Sequence, residues 1–462
     1  MKNVKITLKD LFNLPGAVIY NPDKYKDVNS VSIDTRNISA NSLFIAIEGT
    51  NFDGHTFIKE AVKQGAKAVI VNENKLSATG NIKVPIIAVP DTILALGNIA
   101  GIWRTKLSTK IIAITGSAGK TSTKEILVQI LGEKFKVNNT IGNNNNHIGV
   151  PLTILSTQNK HEILVAELGT NHFGEIKYTA DIIQPDYSII TNIADSHLEF
   201  FKDRQGVLKE KWILAEVTRD RKGIVFINND DKLLNKSGRS LDKKVTYAFE
   251  TEADVRGKIL GYNEKGQTKV EISSGKKKIT LSLPLYGEQN AKNLLAATAI
   301  AIKLGLNTKQ ITAGVKKLRA ADKRLNVKNL KSFTLIDDTY NANPESMKSS
   351  LELLGKMTSF KSRVAVLGDM FELGSDEIEL HKNLESVIIK NNINSVYTIG
   401  NRMKHLNELL KNTGIEAKHF NIREALTSYL DKKDFSESVI LVKGSRGMKM
   451  EEFVQVIEGR DI

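Results

Sequence analysis

An apolar, β-branched run ends in a glycine-rich turn about a quarter of the way along this chain. Residues 110–115 read Lys-Ile-Ile-Ala-Ile-Thr, and residues 116–122 read Gly-Ser-Ala-Gly-Lys-Thr-Ser. The run predicts a buried strand, and residues 124–131 favour a helix after the turn. Glycines let a loop approach an anion closely, and the N–H groups of a first helical turn point towards it. The sequence therefore predicts a strand–loop–helix unit for a phosphate, with Lys120 supplying charge and Thr121 a metal-binding hydroxyl.

The turn is shorter than the usual phosphate-binding pattern, Gly-x-x-x-x-Gly-Lys-Thr. That pattern would place its first glycine where this chain has Ile114. The loop is therefore a shortened variant, and this limits the classes of nucleotide-dependent enzyme to which the chain could belong. The residues expected to contact nucleotide phosphates are Thr115, Gly116, Ser117, Ala118, Gly119, Lys120, Thr121 and Ser122.

Length and composition limit the class of protein. With 462 residues the chain exceeds one hydrophobic core, so about two to four domains are expected. It has no cysteine, which excludes disulfides, thiolate chemistry and cysteine–zinc sites. It has no run approaching the length of a membrane helix, and its start lacks the apolar core of a signal peptide. We expect a cytoplasmic enzyme that does not insert into a membrane.

The net charge of +14 raises the alternative of a nucleic-acid partner. The lysines are spread along the whole chain, and aromatic residues, at 6%, do not interleave with basic runs as they do in single-strand binders. A basic surface also suits an enzyme whose ligands are anions. We therefore expect no nucleic-acid partner, and we expect a monomer.

Strand and helix patterns alternate through most of the chain, which predicts an α/β protein. A helix predicted over residues 91–107 leads into the strand of the glycine-rich loop, and a third unit begins near Ala321. Strand patterns in that third unit alternate with helices, which indicates a second doubly wound parallel sheet. The predicted domains are residues 1–106, 107–320 and 321–462.

Two polar residues follow strands of the predicted central domain. Glu167 ends the apolar run 163–166, and His197 comes after the strand pattern at 187–191. A carboxylate at the end of a buried strand beside a phosphate loop is placed to hold Mg²⁺, and we favour this over a helix cap or a surface glutamate. A loop histidine is more often structural, but its neighbours here favour a ligand.

Lys211 lies in the middle of an apolar helical stripe. At 100° per residue it shares a face with Val207, Leu214 and Ala215, whereas Glu210 falls outside that arc. A buried ammonium is costly, so either the side chain extends along the stripe to water or its charge is removed. A lysine with a depressed pKa is nucleophilic enough to take up CO₂, and the carbamate is an oxygen ligand for Mg²⁺. Periodicity alone leaves both alternatives open.

Three polar segments follow strands of the predicted third domain, at residues 337–344, 367–374 and 443–447. Turns of the Asx-Pro kind account for such loops without any ligand. The carboxyl ends of parallel strands meet at one edge, however, and three such loops together favour a binding site.

These segments together resemble the Mur ligases of bacterial cell-wall synthesis over nearly the whole chain. The shortened loop, the Asn-rich segment 143–151, the segments 166–169 and 197–199, and Lys211 all match family motifs. In the first domain, the segments that resemble the family's uridine-nucleotide domain are 32–36, 44–49 and 52–55. The resemblance implies a central P-loop ATPase domain with a parallel sheet, flanked by an N-terminal α/β uridine-nucleotide domain and a C-terminal Rossmann-like domain.

The three C-terminal segments resemble the branch of the family that adds D-alanyl-D-alanine to a UDP-N-acetylmuramoyl (UDP-MurNAc) tripeptide. The resemblance implies amide formation through an acyl phosphate, with ATP, two Mg²⁺ ions and a carbamoylated lysine. It implies catalytic roles for Lys120, His197 and Lys211, and metal binding by Thr121, Glu167, His197 and carbamoylated Lys211. It adds Asn290, Arg324 and Asp338 as ATP contacts. The expected contacts of the UDP-linked substrate are Ser32, Thr35, Arg36, Asn146 and His147. Those of the dipeptide or C-terminal site are Tyr340, Asn341, Asn343, Lys443, Ser445 and Arg446.

The chain departs from the family pattern at two positions. Gln289 stands where a histidine is usual before Asn290, and Lys323 replaces the glycine before Arg324. The retained asparagine can still bond adenine, and the retained arginine keeps its charge. Alternatives with the same chemistry are a ligase that adds a diamino acid and a folylpolyglutamate-type ligase. An alternative of another class is a nucleotide-binding switch or nucleic-acid motor.

Overall fold

The computed structural model describes residues 4–262 and 267–461, so the outermost ends of the first and third predicted domains lie outside the described residues. Its strands form three sheets of five, nine and six strands. Each sheet lies within one of the three predicted domains, so the prediction of three α/β domains is confirmed, while the boundary residues remain a prediction. No helix in the described ranges combines the length and the apolar character that crossing a membrane requires.

The first sheet has the order β1-β5-β4-β3-β2 and is parallel except for β1, which pairs antiparallel with β5. Its strands are β1 (Val18–Tyr20), β2 (Ser30–Ser32), β3 (Ser42–Ile45), β4 (Ala66–Asn72) and β5 (Ile86–Val89). The helices of this domain are α1 (Leu8–Phe12), α2 (Ile58–Lys63) and α3 (Thr92–Thr105).

The central sheet has the order β14-β13-β12-β11-β10-β9-β6-β8-β7. Its strands are β6 (Lys110–Thr115), β7 (Val137–Asn139), β8 (Ile163–Glu167), β9 (Tyr187–Ile190), β10 (Ile224–Asn228), β11 (Lys244–Ala248), β12 (Val255–Tyr262), β13 (Gln267–Ser274) and β14 (Lys277–Tyr286). The helices of this domain are α4 (Lys120–Leu131), α5 (Gly149–Ser156), α6 (Glu175–Ile183), α7 (Leu198–Phe201), α8 (Arg204–Asp220), α9 (Lys232–Gly238), α10 (Glu288–Lys303) and α11 (Thr308–Lys316).

The central sheet was expected to be parallel, and the seven strands from β7 to β12 in the sheet order given above are parallel. β13 pairs antiparallel with β12, and β14 pairs antiparallel with β13, so a hairpin extends the same sheet. The parallel part is the part that matters for the site: β6 lies between β8 and β9, and Ile111, Ile112 and Ile114 are fully buried. The carboxyl ends of these three strands therefore share one edge of the sheet.

Helix α3 fastens the first domain to the central domain. It begins after Asp91, whose side chain accepts hydrogen bonds from two N–H groups of the first turn. Near its other end, the Trp103 indole donates to the Thr157 carbonyl at 2.9 Å, and the Arg104 guanidinium donates to the Ile183 carbonyl at 2.9 Å. One apolar core continues through both domains at this contact.

The third sheet has the order β15-β16-β20-β17-β18-β19 and is parallel except for its edge strand β15. Its strands are β15 (Asn326–Asn329), β16 (Thr334–Asp338), β17 (Ser362–Gly368), β18 (Ser395–Ile399), β19 (Glu416–Phe420) and β20 (Ser438–Lys443). The helices of this domain are α12 (Pro344–Lys356), α13 (Glu377–Lys382), α14 (Leu384–Lys390), α15 (Met403–Leu410), α16 (Arg423–Lys432) and α17 (Glu451–Glu458). Two apolar clusters contribute its core, as expected of a doubly wound sheet.

Candidate active site

A cleft of about 550 Å³ lies where the carboxyl edges of the central and C-terminal sheets face each other. Residues from both domains line it, as the sequence prediction of one shared site requires. The predicted site residues that line it are Ser117, Ala118, Gly119, Lys120, Thr121, Ser122, Asn146, His147, Glu167, His197, Asn290, Arg324, Asp338, Tyr340, Asn341, Asn343, Lys443, Ser445 and Arg446. A second cavity of about 690 Å³ shares Thr121, Asn290 and Arg324 with it and runs along the linker between the two domains.

Other predicted residues lie outside the lining of this cleft. Thr115 is fully buried at the end of β6, where its hydroxyl donates to the Leu168 carbonyl at 2.8 Å. Ser32, Thr35 and Arg36 lie in the first domain, at β2 and the turn after it. Their assignment to the UDP-linked substrate therefore remains a prediction.

The phosphate loop is bonded to the segment that follows β9. Gly116 has a φ of +146°, and a Cβ there would lie 1.9 Å from the Thr191 hydroxyl, so only glycine fits. The Ser117 N–H donates to the Asn192 carbonyl at 3.0 Å, and the Ala118 N–H donates to the Asn192 side-chain oxygen at 2.9 Å. Sequence reasoning missed Asn192, because nothing local to it indicates that it supports a loop more than seventy residues earlier.

Lys120 lies at the start of α4 and faces the cleft. Its ammonium donates to the Gly116 carbonyl at 2.7 Å. Burial lowers the pKa of Lys120, the neighbouring Arg324 charge lowers it further, and Glu167 opposes both. A nucleotide phosphate in the cleft would supply counter-charge to this lysine.

Glu167 ends β8 and is almost completely buried, with 2% of its surface exposed. One carboxylate oxygen, Oε1, accepts a hydrogen bond from the Asn145 amide at 2.8 Å. The other, Oε2, is buried and has no hydrogen-bond partner in the described part of the chain. A buried carboxylate oxygen without a donor is costly, and a hard cation such as Mg²⁺ is the ligand that it suits.

Residues 4–262 and 267–461 contain no group of three or more histidine, aspartate or glutamate side chains placed to hold a metal ion. Thr121 and Glu167, the residues predicted to hold one magnesium ion, both line the cleft.

Lys211 on α8 has only 1% of its surface exposed, so its predicted place in the buried stripe is confirmed and extension to water is excluded. Burial lowers its pKa well below the ordinary value, and the nearby Lys120 charge lowers it further. Glu210, which lies outside the apolar arc of the helical wheel, is also fully buried. Its carboxylate accepts the N–H groups of Gly174 at 2.9 Å and Ile176 at 2.8 Å, at the start of α6.

The C-terminal loops are bonded to one another. The Lys443 ammonium donates to Asp338 Oδ2 at 2.5 Å and to the Asn341 carbonyl at 3.1 Å. The Arg324 guanidinium lies over the Tyr340 ring, 3.7 Å from its centre. The carboxylate of Asp338 is thus already bonded to Lys443, and its role as an ATP contact remains a prediction.

Two predicted asparagines also cap helices. The Asn343 side chain accepts from the Ser346 N–H at 2.8 Å, at the start of α12. The Asn146 side chain accepts from the Gly149 N–H at 2.9 Å, at the start of α5. The substituted Gln289 lies in the cleft and donates to Asn293 at 3.3 Å, so the departure from histidine keeps a polar group there.

His197 follows β9 and contacts a residue of the predicted segment 367–374 to which the sequence analysis gave no individual role. Its Nδ1 lies 2.5 Å from a carboxylate oxygen of Glu372, which belongs to the C-terminal domain. The contact joins the two domains across the cleft.

The fold and this cleft define a three-domain nucleotide-binding protein with a phosphate loop. Family models match residues 27–104 ("Mur ligase family, catalytic domain"), 114–301 ("Mur ligase middle domain") and 323–446 ("Mur ligase, glutamate ligase domain"). The UDP-N-acetylmuramoyl-tripeptide–D-alanyl-D-alanine ligase of Haemophilus influenzae is 34% identical over 451 residues, which cover 95% of each chain. The chain therefore belongs to the Mur ligase family.

Solved structures agree in fold. The crystal structure of MurF from Acinetobacter baumannii has a TM-score of 0.87 at 27% identity, covering 99% of this chain and 100% of that one. MurF ligase from Thermotoga maritima in complex with ADP has a TM-score of 0.80 at 27% identity, covering 94% of this chain and 97% of that one.

We predict that Asn145→Ala weakens binding of ADP in the presence of Mg²⁺ by about tenfold, because Glu167 loses the donor that orients its carboxylate. Titration calorimetry with ADP and Mg²⁺ measures this effect, and ADP with a chelator provides the comparison. Asn144→Ala is the matched control, since Asn144 is an exposed neighbour in the same segment. An equal loss of ADP affinity without Mg²⁺ would contradict the role of Asn145 in orienting Glu167.

Proposed function

We propose that this chain is an ATP-dependent ligase that joins D-alanyl-D-alanine to a UDP-MurNAc-tripeptide. The observation that carries the proposal is the cleft itself, where the phosphate loop and the three polar C-terminal loops line one cavity. The similarity to ligases of this name over almost the whole chain supports the same substrates, and the related ADP complex supports ATP. The proposal includes a monomer that works in the bacterial cytoplasm, where ATP is supplied.

The reaction must bring together two anions, a carboxylate and a triphosphate. In the first step a carboxylate oxygen of the tripeptide attacks the γ-phosphorus, the bond from that phosphorus to the β–γ bridging oxygen breaks, and ADP leaves. Lys120 and Arg324 offset the charge on the phosphates in this cleft. The product is an acyl phosphate.

In the second step the amine of D-alanyl-D-alanine attacks the acyl carbon. The tetrahedral intermediate expels phosphate, which carries away the oxygen that came from the carboxylate, and the amine nitrogen loses a proton. The C-terminal domain covers the cleft and keeps out water, which would otherwise hydrolyse the acyl phosphate. Tyr340, Asn341, Asn343, Lys443, Ser445 and Arg446 are the proposed contacts of the dipeptide or the C-terminal side of the nucleotide.

Mg²⁺, when bound, neutralises phosphate charge and helps to hold the two anions together. Thr121 and Glu167 would hold one ion, and the free oxygen of the buried Glu167 carboxylate supports this assignment. His197 and a carbamoylated Lys211 would hold a second. The buried position of Lys211 and its depressed pKa support the carbamate, because a neutral amine reacts with CO₂.

We predict that Lys211→Ala lowers the rate of ligation by about 100-fold or more, because the site loses an anionic ligand. Added formate or acetate should restore part of the rate by replacing the carbamate oxygens. Lys209 is exposed on the same helix, so Lys209→Ala is the control. Its ligation rate should equal that of the wild type, with or without added formate or acetate. Wild-type turnover in Lys211→Ala would contradict the carbamate.

The proposed function is tested by phosphate release from ATP. Sustained release should require both the UDP-MurNAc-tripeptide and D-alanyl-D-alanine, because the amine completes the second step. Lys120→Ala should abolish it. Release that is independent of the UDP-linked substrate would indicate a nucleotide switch or motor, and release with a diamino acid in place of the dipeptide would indicate another branch of the family.

A further inference from the structure

Glu372 reaches from the C-terminal domain to His197 of the central domain. One of its carboxylate oxygens lies 2.5 Å from Nδ1 of the His197 ring. The two backbones also meet, since the Glu199 N–H donates to the Glu372 carbonyl at 3.4 Å. Gly374 lies beside this contact, since a Cβ built there would be at van der Waals distance, 3.6 Å, from the Glu199 nitrogen.

His197 and Glu372 both have a positive φ angle, a backbone conformation that residues other than glycine seldom adopt. The φ angle of His197 is +53° and that of Glu372 is +61°. Such strain persists where the surrounding structure fixes it, and it is common at functional sites. The strain lies on both sides of one interdomain contact.

The C-terminal domain holds the segment around Glu372 firmly. The Met370 N–H donates to the buried ring of His381 at 2.9 Å, and the Phe371 N–H donates to the Ser445 hydroxyl at 2.9 Å. The Arg402 guanidinium lies over the Phe371 ring, 5.5 Å from its centre. The position of the Glu372 carboxylate is therefore set by the body of its own domain.

The direction of the hydrogen bond follows from the charges. A carboxylate oxygen accepts a hydrogen bond, so the Nδ1–H group of His197 is the donor to Glu372. In the neutral ring with its proton on Nδ1, the other nitrogen, Nε2, carries the lone pair. The His197 ring also meets the edge of Phe201, with 6.3 Å between the ring centres.

We propose that Glu372 is a positioning residue that fixes the orientation and the tautomer of His197 from the opposite domain. His197 presents a free Nε2 to the cleft when the C-terminal domain is seated on the central domain. The catalytic consequence rests on the proposed ligase function, whereas the effect on the His197 ring does not.

A second contact joins the same two domains and provides a matched control. The Lys356 ammonium on α12 donates to the Glu288 carboxylate on α10 and lies over the Tyr262 ring, 4.6 Å from its centre. This contact involves neither His197 nor Glu372. Loss of this contact weakens the packing of the C-terminal domain against the central domain, but Glu372 remains the acceptor for Nδ1–H of His197.

The test uses the full chain with ¹⁵N-labelled histidine and long-range ¹H–¹⁵N spectra of the imidazole rings, recorded without substrates. His197→Asn assigns the signal of His197. The wild type should show the Nδ1–H tautomer. Glu372→Ala should shift it towards Nε2–H, Glu372→Gln should give an intermediate spectrum, and Lys356→Gln should keep the wild-type tautomer.

The kinetic arm measures ligation by the same variants. Glu372→Ala should lower kcat by about tenfold or more and leave KM for ATP within about twofold, and Glu372→Gln should recover part of kcat. An unchanged His197 tautomer in Glu372→Ala, or an unchanged kcat, would overturn the proposal. If the wild type itself does not ligate D-alanyl-D-alanine, the proposed function fails, and the spectra still decide whether Glu372 positions His197.

Discussion

The site depends on the hydrogen bonds that join the phosphate loop to the end of the neighbouring strand. Asn192 accepts the Ser117 N–H with its carbonyl and the Ala118 N–H with its side chain, and the Thr191 hydroxyl donates to the Ala118 carbonyl at 2.6 Å. The same segment leads directly to His197. The phosphate loop and His197 are therefore both tied to the same segment of the central domain, independently of the C-terminal domain.

Charge is the second constraint on this cleft. Burial depresses the pKa of Lys120, which lines the cleft, and that of Lys211 on α8, and the Lys120 charge lowers the pKa of Lys211 further. Glu167 offers a buried oxygen without a donor. Within the described part of the chain, the two lysines lack an ion-pair partner, and this Glu167 oxygen lacks a hydrogen-bond donor. Bound phosphates and cations would supply these partners, as we expect of a site that activates ATP for an attacking carboxylate.

Local sequence patterns predicted the elements that carry the site, because buried apolar runs such as that before Glu167 end in polar loops at the edge of a parallel sheet. They could not predict partners brought in by tertiary contact. Asn145, Asn192 and Glu372 each bond a site residue that is distant along the chain or lies in another domain. The burial of Glu210 has the same kind of cause. A helical wheel gives the face of a residue on its own helix, but it does not show that the start of α6 packs there.

The proposed mechanism requires that the carboxylate of the UDP-linked substrate attacks ATP directly. The most direct measurement uses tripeptide labelled with ¹⁸O in its terminal carboxylate, with ATP and D-alanyl-D-alanine, followed by mass analysis of the released phosphate. The account predicts that one ¹⁸O atom appears in each phosphate, because the acyl phosphate oxygen leaves with phosphorus. Unlabelled phosphate released together with the amide product would contradict it, because the ¹⁸O atom lost from the carboxylate would then have left by a route other than phosphate.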